Sequence, residues 1–218
     1  KRFLNPLRLK STRRSKMKKL FIVANWKMNG SKKSNEQLVN YINHKVYENP
    51  NIEVIICPPF TYLTQILELK TSSIKIGAQN ISESQDGAFT GEISASMLQD
   101  MNIKYVIIGH SERRQMFNDT NSTIAQKFEL AHQNNLIPIL CVGESLNERK
   151  TGQTLSVVES QIKSVIESTR IELFTKSIIA YEPVWAIGTG ETASPEQAEE
   201  VHSNIRNIIE EYDSNIAT

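Results

Sequence analysis

The sequence predicts an α/β fold in which parallel strands alternate with helices. Short apolar runs rich in β-branched residues recur along the chain, and each run is continuous rather than alternating with polar residues. Continuous runs indicate strands buried on both faces, as in parallel sheets covered by helices. The predicted strands are residues 20–24, 54–57, 74–78, 105–109, 137–142 and 178–181.

Amphipathic helices are predicted between the strands, because apolar residues there recur every three or four positions. Examples are Ile124, Phe128, Ala131 and His132 in one segment, and Leu155, Val158, Ile162, Val165 and Ile166 in another. Ser194, followed by Pro195 and by Gln197 three residues on, predicts a capped helix start. Ser34 and Gln37 have the same spacing and predict a second capping box.

Six strand–helix units in strict alternation predict right-handed crossovers, in a doubly wound sheet or a barrel. Polar residues and glycines follow many of the strands, and loops that converge from many strands on one site favour the barrel. We therefore expect the site among Asn25, Lys27, Gln79, Asn80, His110, Glu112, Gly143, Glu144 and Glu182.

Composition restricts the cellular compartment and the membrane association that we expect. The 218 residues include two cysteines, Cys57 and Cys141, both inside apolar runs. Packed, reduced thiols predict a reducing compartment, the cytoplasm. No run of 18 apolar residues exists, so no membrane partner is expected.

Residues 1–16 differ from the rest of the chain, because they hold seven of its 25 Lys and Arg and none of its 24 acidic residues. Translated upstream sequence before Met17, an organellar transit peptide and a basic arm for nucleic acid all fit this composition. The acidic body argues against a nucleic-acid partner. We expect 1–16 to lie outside the fold and 17–218 to form a single domain.

Two motifs suggest other chemistry and are set aside. Gly188, Gly190 and Ala193 match a dinucleotide fingerprint, but that motif needs its glycines directly between strand and helix. Ser111 begins like a nucleophile elbow, but Arg113 occupies the place of the second glycine. Neither a nicotinamide cofactor nor an acyl-transfer serine is expected.

Five motifs carry a family resemblance. NWKMNG (25–30), GAFTGE (87–92), GHSERR (109–114), CVGE (141–144) and AYEPVWAIGTG (180–190) resemble triosephosphate isomerases, and the resemblance extends from residue 17 to residue 218. It implies a TIM (β/α)8 barrel, of which about six βα units are present here. It also implies an intramolecular aldose–ketose isomerase of glycolysis and gluconeogenesis that uses no cofactor and no metal.

The resemblance also implies catalytic roles. Glu182 would be the base and His110, as a neutral imidazole, the electrophile, while Lys27 would bring a cation to the substrate with Glu112 as its partner. A carboxylate can move the proton between neighbouring carbons through an enediolate. An apolar lid at 184–187 would exclude water.

The remaining site residues follow from the same resemblance. Asn25, Lys27, Ser111 and Gly188 would bind substrate, Gly188 through backbone N–H at the phosphate, and Cys141 would pack beside the site. Asn25 would serve equally well as a loop-forming side chain. In the family, the loop matching Gly87–Glu92 inserts into a second subunit and implies a homodimer; the alternative is an ordinary mobile loop in a monomer.

One feature departs from the family pattern. A complete barrel needs eight strands and roughly 250 residues, whereas six strands are recognisable here. We therefore expect the activity to belong to the complete protein and the 218-residue chain alone to turn over little substrate. The alternatives are a naturally truncated, non-catalytic relative that acts as an interaction module, and another phosphosugar barrel.

Overall fold

Six parallel strands form one sheet in the computed structural model, which describes residues 19–46, 51–187, 190 and 192–217. The strands follow one another in chain order across the sheet. They are β1 (Leu20–Asn25), β2 (Ile52–Cys57), β3 (Ile74–Ala78), β4 (Tyr105–Ile108), β5 (Ile137–Val142) and β6 (Ile178–Tyr181). Consecutive parallel order with helical crossovers is the arrangement of a (β/α) barrel. The basic segment 1–16 lies outside the described residues.

Eight helices connect the strands in the described part of the chain, some of them short. They are α1 (Lys32–Lys45), α2 (Leu63–Leu69), α3 (Ala95–Asp100), α4 (Ser111–Met116), α5 (Asn121–Gln133), α6 (Leu146–Lys150), α7 (Thr154–Ser168) and α8 (Pro195–Tyr212). The two helices predicted from apolar spacing are α5 and α7. Ser194 caps α8 with Gln197 as its capping-box partner and Pro195 in the first turn, which confirms that prediction.

The sheet has two buried faces. On the outer face, Ile56, Val106, Ile108 and Leu140 belong to the large core that the helices contribute to. On the inner face, alternate residues of the same strands, including Ile55, Ile107, Ile139 and Cys141, contact one another and form a second cluster. An inner face filled by the side chains of the strands themselves is the property of a curled sheet, so the six strands form a half-barrel.

Strand β1 differs from its prediction. Four of its apolar residues are exposed, and Leu20 and Ile22 retain 60% and 55% of their accessible surface. In the part of the chain that the structure describes, β1 pairs only with β2. The prediction of burial on both faces is therefore wrong for β1, although it holds for most residues of β2 to β5.

The start of α1 also differs from its prediction. Ser31, not Ser34, is the N-cap, and its hydroxyl accepts the N–H of Ser34. Ser34 is the third helical residue, and its side chain returns to the backbone N–H of Ser31. The predicted capping box between Ser34 and Gln37 is wrong, because the helix begins one turn earlier.

No helix within the described residues is long and apolar enough to cross a membrane.

Candidate active site

Glu182 follows β6 directly and is held close to the end of β5. Its N–H donates to the Val142 carbonyl at 2.7 Å. The backbone carbonyl of Glu182 passes so close to Gly143 that a β-carbon there would lie 1.8 Å from the oxygen. A glycine is therefore needed at position 143 to let the two strand ends approach.

The Glu182 carboxylate contacts two groups at the end of β4. One oxygen, Oε1, lies 3.2 Å from His110 Nε2. The other, Oε2, accepts the backbone N–H of Ser111 at 3.1 Å. The side chain keeps 18% of its accessible surface, so the carboxylate is mostly enclosed without being sealed from a ligand.

His110 is oriented by the turn that leads into α4. Gly109 has a φ of +74°, a left-handed conformation that ends the strand, and His110 is the N-cap of α4. The Nδ1 atom of His110 accepts the backbone N–H of Glu112 at 3.2 Å. With Nδ1 in this contact, the other ring nitrogen, Nε2, is the atom that faces Glu182.

Lys27 joins this group through Glu112. Its Nζ lies 2.6 Å from Glu112 Oε1, and Glu112 Oε2 lies 3.6 Å from His110 Nδ1. The backbone of Lys27 has a φ of +53°, a conformation that residues other than glycine rarely adopt. Two hydrogen bonds hold it there: the N–H donates to Asn25 Oδ1 and the carbonyl accepts from Gln79 Nε2.

The structure thus brings together side chains from the ends of β1, β4, β5 and β6. Lys27, Glu112, His110 and Glu182 form a continuous chain of contacts. Asn25 shapes the loop that carries Lys27, and Ser111 provides a backbone donor to Glu182. Gly188, which is expected at the phosphate, lies outside the described residues.

Cys141 lies beside Glu182 on the inner face of the half-barrel. Burial, together with the charge of Glu182, raises the pKa of the Cys141 thiol well above its usual range. Burial likewise raises the pKa of the Cys57 thiol to about 12. Both free thiols are protonated at neutral pH, so Cys141 packs against the site and is unsuited to act as a nucleophile.

The sequence did not single out the network around Glu144. This carboxylate is fully buried and accepts hydrogen bonds from the Tyr181 hydroxyl and from Trp185 Nε1, the latter at 2.9 Å. Arg149 pairs with it at 3.1 Å and also stacks on the Trp185 ring. The segment that follows Glu182 is thereby fastened to the loop after β5.

This geometry favours the removal of a proton from carbon. A mostly enclosed carboxylate is a suitable base, and an imidazole N–H next to it can stabilise an oxyanion that forms on the adjacent carbonyl. The Lys27 ammonium, paired with Glu112, is the lysine cation of this group. Among the described residues, no group of three or more His, Cys, Asp or Glu side chains is arranged to hold a metal ion.

Comparison with known proteins identifies relatives of the chain. The sequence profile of the family described as "Triosephosphate isomerase" matches residues 20–218. The protein named triosephosphate isomerase from Alkaliphilus oremlandii is 48% identical over 196 residues, which cover 89% of this chain and 79% of that protein. The triosephosphate isomerase from Nitrosococcus oceani is 46% identical over 202 residues, which cover 92% of this chain and 81% of that protein. The triosephosphate isomerase from Blochmanniella floridana is 47% identical over 206 residues, which cover 92% of this chain and 79% of that protein.

Proposed function

Because this chain belongs to the triosephosphate isomerase family, we propose that it interconverts dihydroxyacetone phosphate and D-glyceraldehyde 3-phosphate through an enediolate. The reaction is a step of glycolysis and gluconeogenesis. The observation that carries the proposal is the pairing of the Glu182 carboxylate with His110 Nε2 at 3.2 Å. A substrate that binds against both groups meets a base at its carbon and a donor at its oxygen.

The reaction moves one proton between two neighbouring carbons and a second proton between their oxygens. Glu182 takes a proton from the hydroxyl-bearing carbon next to the carbonyl, and the electrons of that C–H bond move to form the C–C double bond of the enediolate. The carbonyl oxygen gains negative charge, which the Nε2–H of His110 stabilises. A proton then passes from the hydroxyl of the first carbon to the oxygen of the second, and Glu182 returns its proton to the second carbon, so the carbonyl is now on the first carbon. Positioned bases of this kind contribute roughly 10²–10⁴ to the rate.

Lys27 supplies positive charge to the phosphate-bearing substrate. The ion pair with Glu112 holds its ammonium group, and the two backbone hydrogen bonds hold its left-handed conformation. A conformation that costs about 1–3 kcal/mol is kept only where surrounding contacts impose it. Asn25, which makes one of those contacts, and Ser111, beside His110, complete the polar surroundings of the substrate.

Residues 184–187 form the lid of the proposed site. Val184–Ala186 is a short 3-10 helix whose Trp185 is buried. Its apolar side chains are those needed to exclude water from an enediolate, which otherwise eliminates phosphate. Backbone N–H near Gly188 binds the phosphate in this proposal, and the segments beside Pro183 and Gly190 act as hinges.

A homodimer is proposed through the loop Gly87–Glu92. Phe89 in that loop keeps 49% of its accessible surface, and Met28, which follows Lys27, keeps 95%. Large apolar side chains exposed on loops near a site are typical of an interface. Sedimentation of the protein as a dimer, and of a Phe89→Ser variant as a weakened dimer, is expected; a monomeric protein would contradict this proposal.

A domain organisation and a compartment complete the proposal. Residues 17–218 are proposed as a single barrel domain with six βα units, in which the described strands share one sheet. The two buried free cysteines suit a reducing compartment, for which the cytoplasm is proposed.

The test of the function uses the protein as its own cells produce it. Purified protein is assayed for isomerisation of both triose phosphates in the presence of EDTA, and a Glu182→Gln variant is assayed beside it. We expect turnover by the native protein and a fall of roughly 10²–10⁴ in kcat for the variant. Glu159→Gln, a neutralisation of an exposed carboxylate on α7, is the matched control and should leave kcat unchanged. Native protein without turnover, or Glu182→Gln with native kcat, would contradict the proposal.

A further inference from the structure

The pairing of β4 with β5 stops just before the residues that form the site. The last paired residues are Ile108 and Leu140. Gly109 then turns away with its left-handed φ of +74°. The carbonyls of Gly109 and Cys141 lie beyond this point, where the pairing of β4 with β5 has ended, although Cys141 is still paired with Ala180 of β6. Carbonyls in such a place need another donor.

Arg114 is that donor. Its Nε donates to the Gly109 carbonyl at 2.7 Å, and its Nη2 donates to the Cys141 carbonyl at 3.1 Å. A third bond, from Nη1 to Asn121 Oδ1 at 2.8 Å, fixes the far side of the guanidinium group. The planar guanidinium therefore replaces the missing strand pairing and joins the ends of β4 and β5.

The local sequence leaves room for this bridge. A β-carbon at Gly109 would lie 3.0 Å from Arg114 Nη2 and 3.2 Å from the Cys141 carbonyl. Glycine at this position thus serves both the left-handed turn and the close approach of the guanidinium group.

Both bridged carbonyls belong to peptides beside the reacting groups. The Gly109 carbonyl is part of the peptide bond to His110. Its position therefore determines the positions of the His110 imidazole and of the Ser111 N–H. Cys141 neighbours the Glu182 carboxylate, whose negative charge also acts on Arg114. Burial lowers the pKa of Arg114, whereas the surrounding acidic groups act in the opposite direction, so the side chain remains a cation.

We propose that Arg114 is a positioning residue for the isomerisation, which bridges the ends of β4 and β5 and so holds His110 and the Ser111 N–H in place against Glu182. The inference rests on the proposed function for its kinetic consequences. Arg114 touches no substrate in this account and acts through the two peptides it binds. A misplacement of about 1 Å at a reacting group can cost on the order of 10²-fold in rate.

Arg113 provides a matched control on the same helix. It pairs with Asp119 at 2.9 Å and lies over the Phe117 ring. Within the described part of the chain its side chain donates to Asp119 and not to the carbonyls of β4 or β5. Arg113→Gln therefore removes an arginine from α4 while leaving the bridge in place.

The kinetic test compares Arg114→Gln, Arg114→Lys and Arg113→Gln in the protein as its cells produce it. We expect Arg114→Gln to lower kcat by on the order of 10²-fold with KM changed by less than about threefold, because positioning acts on the transition state. Arg114→Lys keeps the charge but cannot span both carbonyls, so it should recover only part of kcat. Arg113→Gln should keep native kcat. Native kcat in Arg114→Gln would overturn the inference.

A second measurement does not depend on turnover. The Ser111 amide proton is shifted by its hydrogen bond to the Glu182 carboxylate, and its NMR chemical shift reports the placement of α4 against that group. In Arg114→Gln it should move toward the value measured in Glu182→Ala, and in Arg113→Gln it should stay native. An unchanged Ser111 shift in Arg114→Gln would overturn the inference even if the native protein showed no isomerase activity, an outcome that would separately contradict the proposed function.

Asn121→Ala keeps the test informative if Arg114→Gln fails to fold. This variant removes one anchor of the guanidinium group and leaves both carbonyl bonds possible. A smaller displacement of the Ser111 resonance in the same direction is expected, and a native resonance with native kcat would count against the inference.

Discussion

The buried carboxylate of Glu144 offers the sharpest test of how the loop after β6 is held. Replacement by glutamine removes the charge that pairs with Arg149 and turns one acceptor into a donor. Trp185 and Arg149 both donate to Oε1, so the amide oxygen would take that position and the new donor, in the place of Oε2, would face the Tyr181 hydroxyl that now donates to it. Burial and the charge of Glu144 raise the pKa of Tyr181, so its hydroxyl stays a donor.

The expected cost follows from burial. Glu144 is fully buried, and removal of one partner from a buried charged pair costs about 3–5 kcal/mol because the other partner is left unsatisfied. Hydrogen bonds to a charged group are worth roughly 1.5–3 kcal/mol each. We therefore expect Glu144→Gln to lower the free energy of unfolding by about 3–5 kcal/mol.

Urea unfolding followed by tryptophan fluorescence measures this loss. A Trp26→Phe background leaves Trp185 as the sole tryptophan, so the same experiment reports loosening of the segment after Glu182. The control Glu159→Gln neutralises an exposed ion pair with Lys163 and should change stability little. A Glu144→Gln protein as stable as this control, with unchanged Trp185 emission, would refute the reasoning.

Three further predictions follow from local geometry. Gly143→Ala should unfold the protein or displace Glu182, because its β-carbon would lie 1.8 Å from the Glu182 carbonyl oxygen; thermal melting and turnover measure this, and native values would contradict it. Burial lowers the pKa of His132 from 6.5 to about 4, so stability should be complete above about pH 6.5 and fall by roughly 1–3 kcal/mol toward pH 4. Urea titrations at several pH values should show this fall in the free energy of unfolding for the native protein and its loss in His132→Phe. An equal pH dependence in the two proteins would count against the prediction. Ser31→Ala should cost about 1 kcal/mol of stability and Gln37→Ala almost none, whereas equal losses would contradict the observed cap.

Local sequence predicted the strands well. Continuous apolar runs gave β3, β5 and β6 with the observed bounds, because strands between two packed faces need apolar side chains at every position. The prediction ended β4 one residue late, at Gly109. In sequence, a glycine at the end of an apolar run fits either the strand or the turn that follows. The left-handed φ of Gly109 shows that it belongs to the turn.

Burial and caps were harder to predict. The exposure of β1 depends on which strands lie beside it, and a strand's own residues carry no record of its neighbours. The start of α1 was mispredicted because Gln37 is the usual type of capping-box partner, whereas the structure pairs Ser31 with the side chain of Ser34.

The site, including the pair of Lys27 with Glu112, was predicted through motifs, whereas the networks of Glu144 and Arg114 were not predicted. The positions of Glu182 and His110 at strand ends follow from the alternating pattern, whereas their roles came from the family resemblance. The networks of Glu144 and Arg114 join residues from separate strands and helices. Such contacts depend on three-dimensional placement, and a buried carboxylate or a bridging arginine looks in sequence like any other charged residue.

The central claim is that the Glu182 carboxylate, placed as it is beside His110, moves the substrate proton. Glu182→Asp keeps the charge and withdraws the carboxylate by one methylene from the 3.2 Å contact with His110. The account predicts that kcat falls by on the order of 10²-fold, because reacting groups must lie within a fraction of an ångström of their working positions, while the urea unfolding curve stays native. A Glu182→Asp protein with native kcat would contradict the claim.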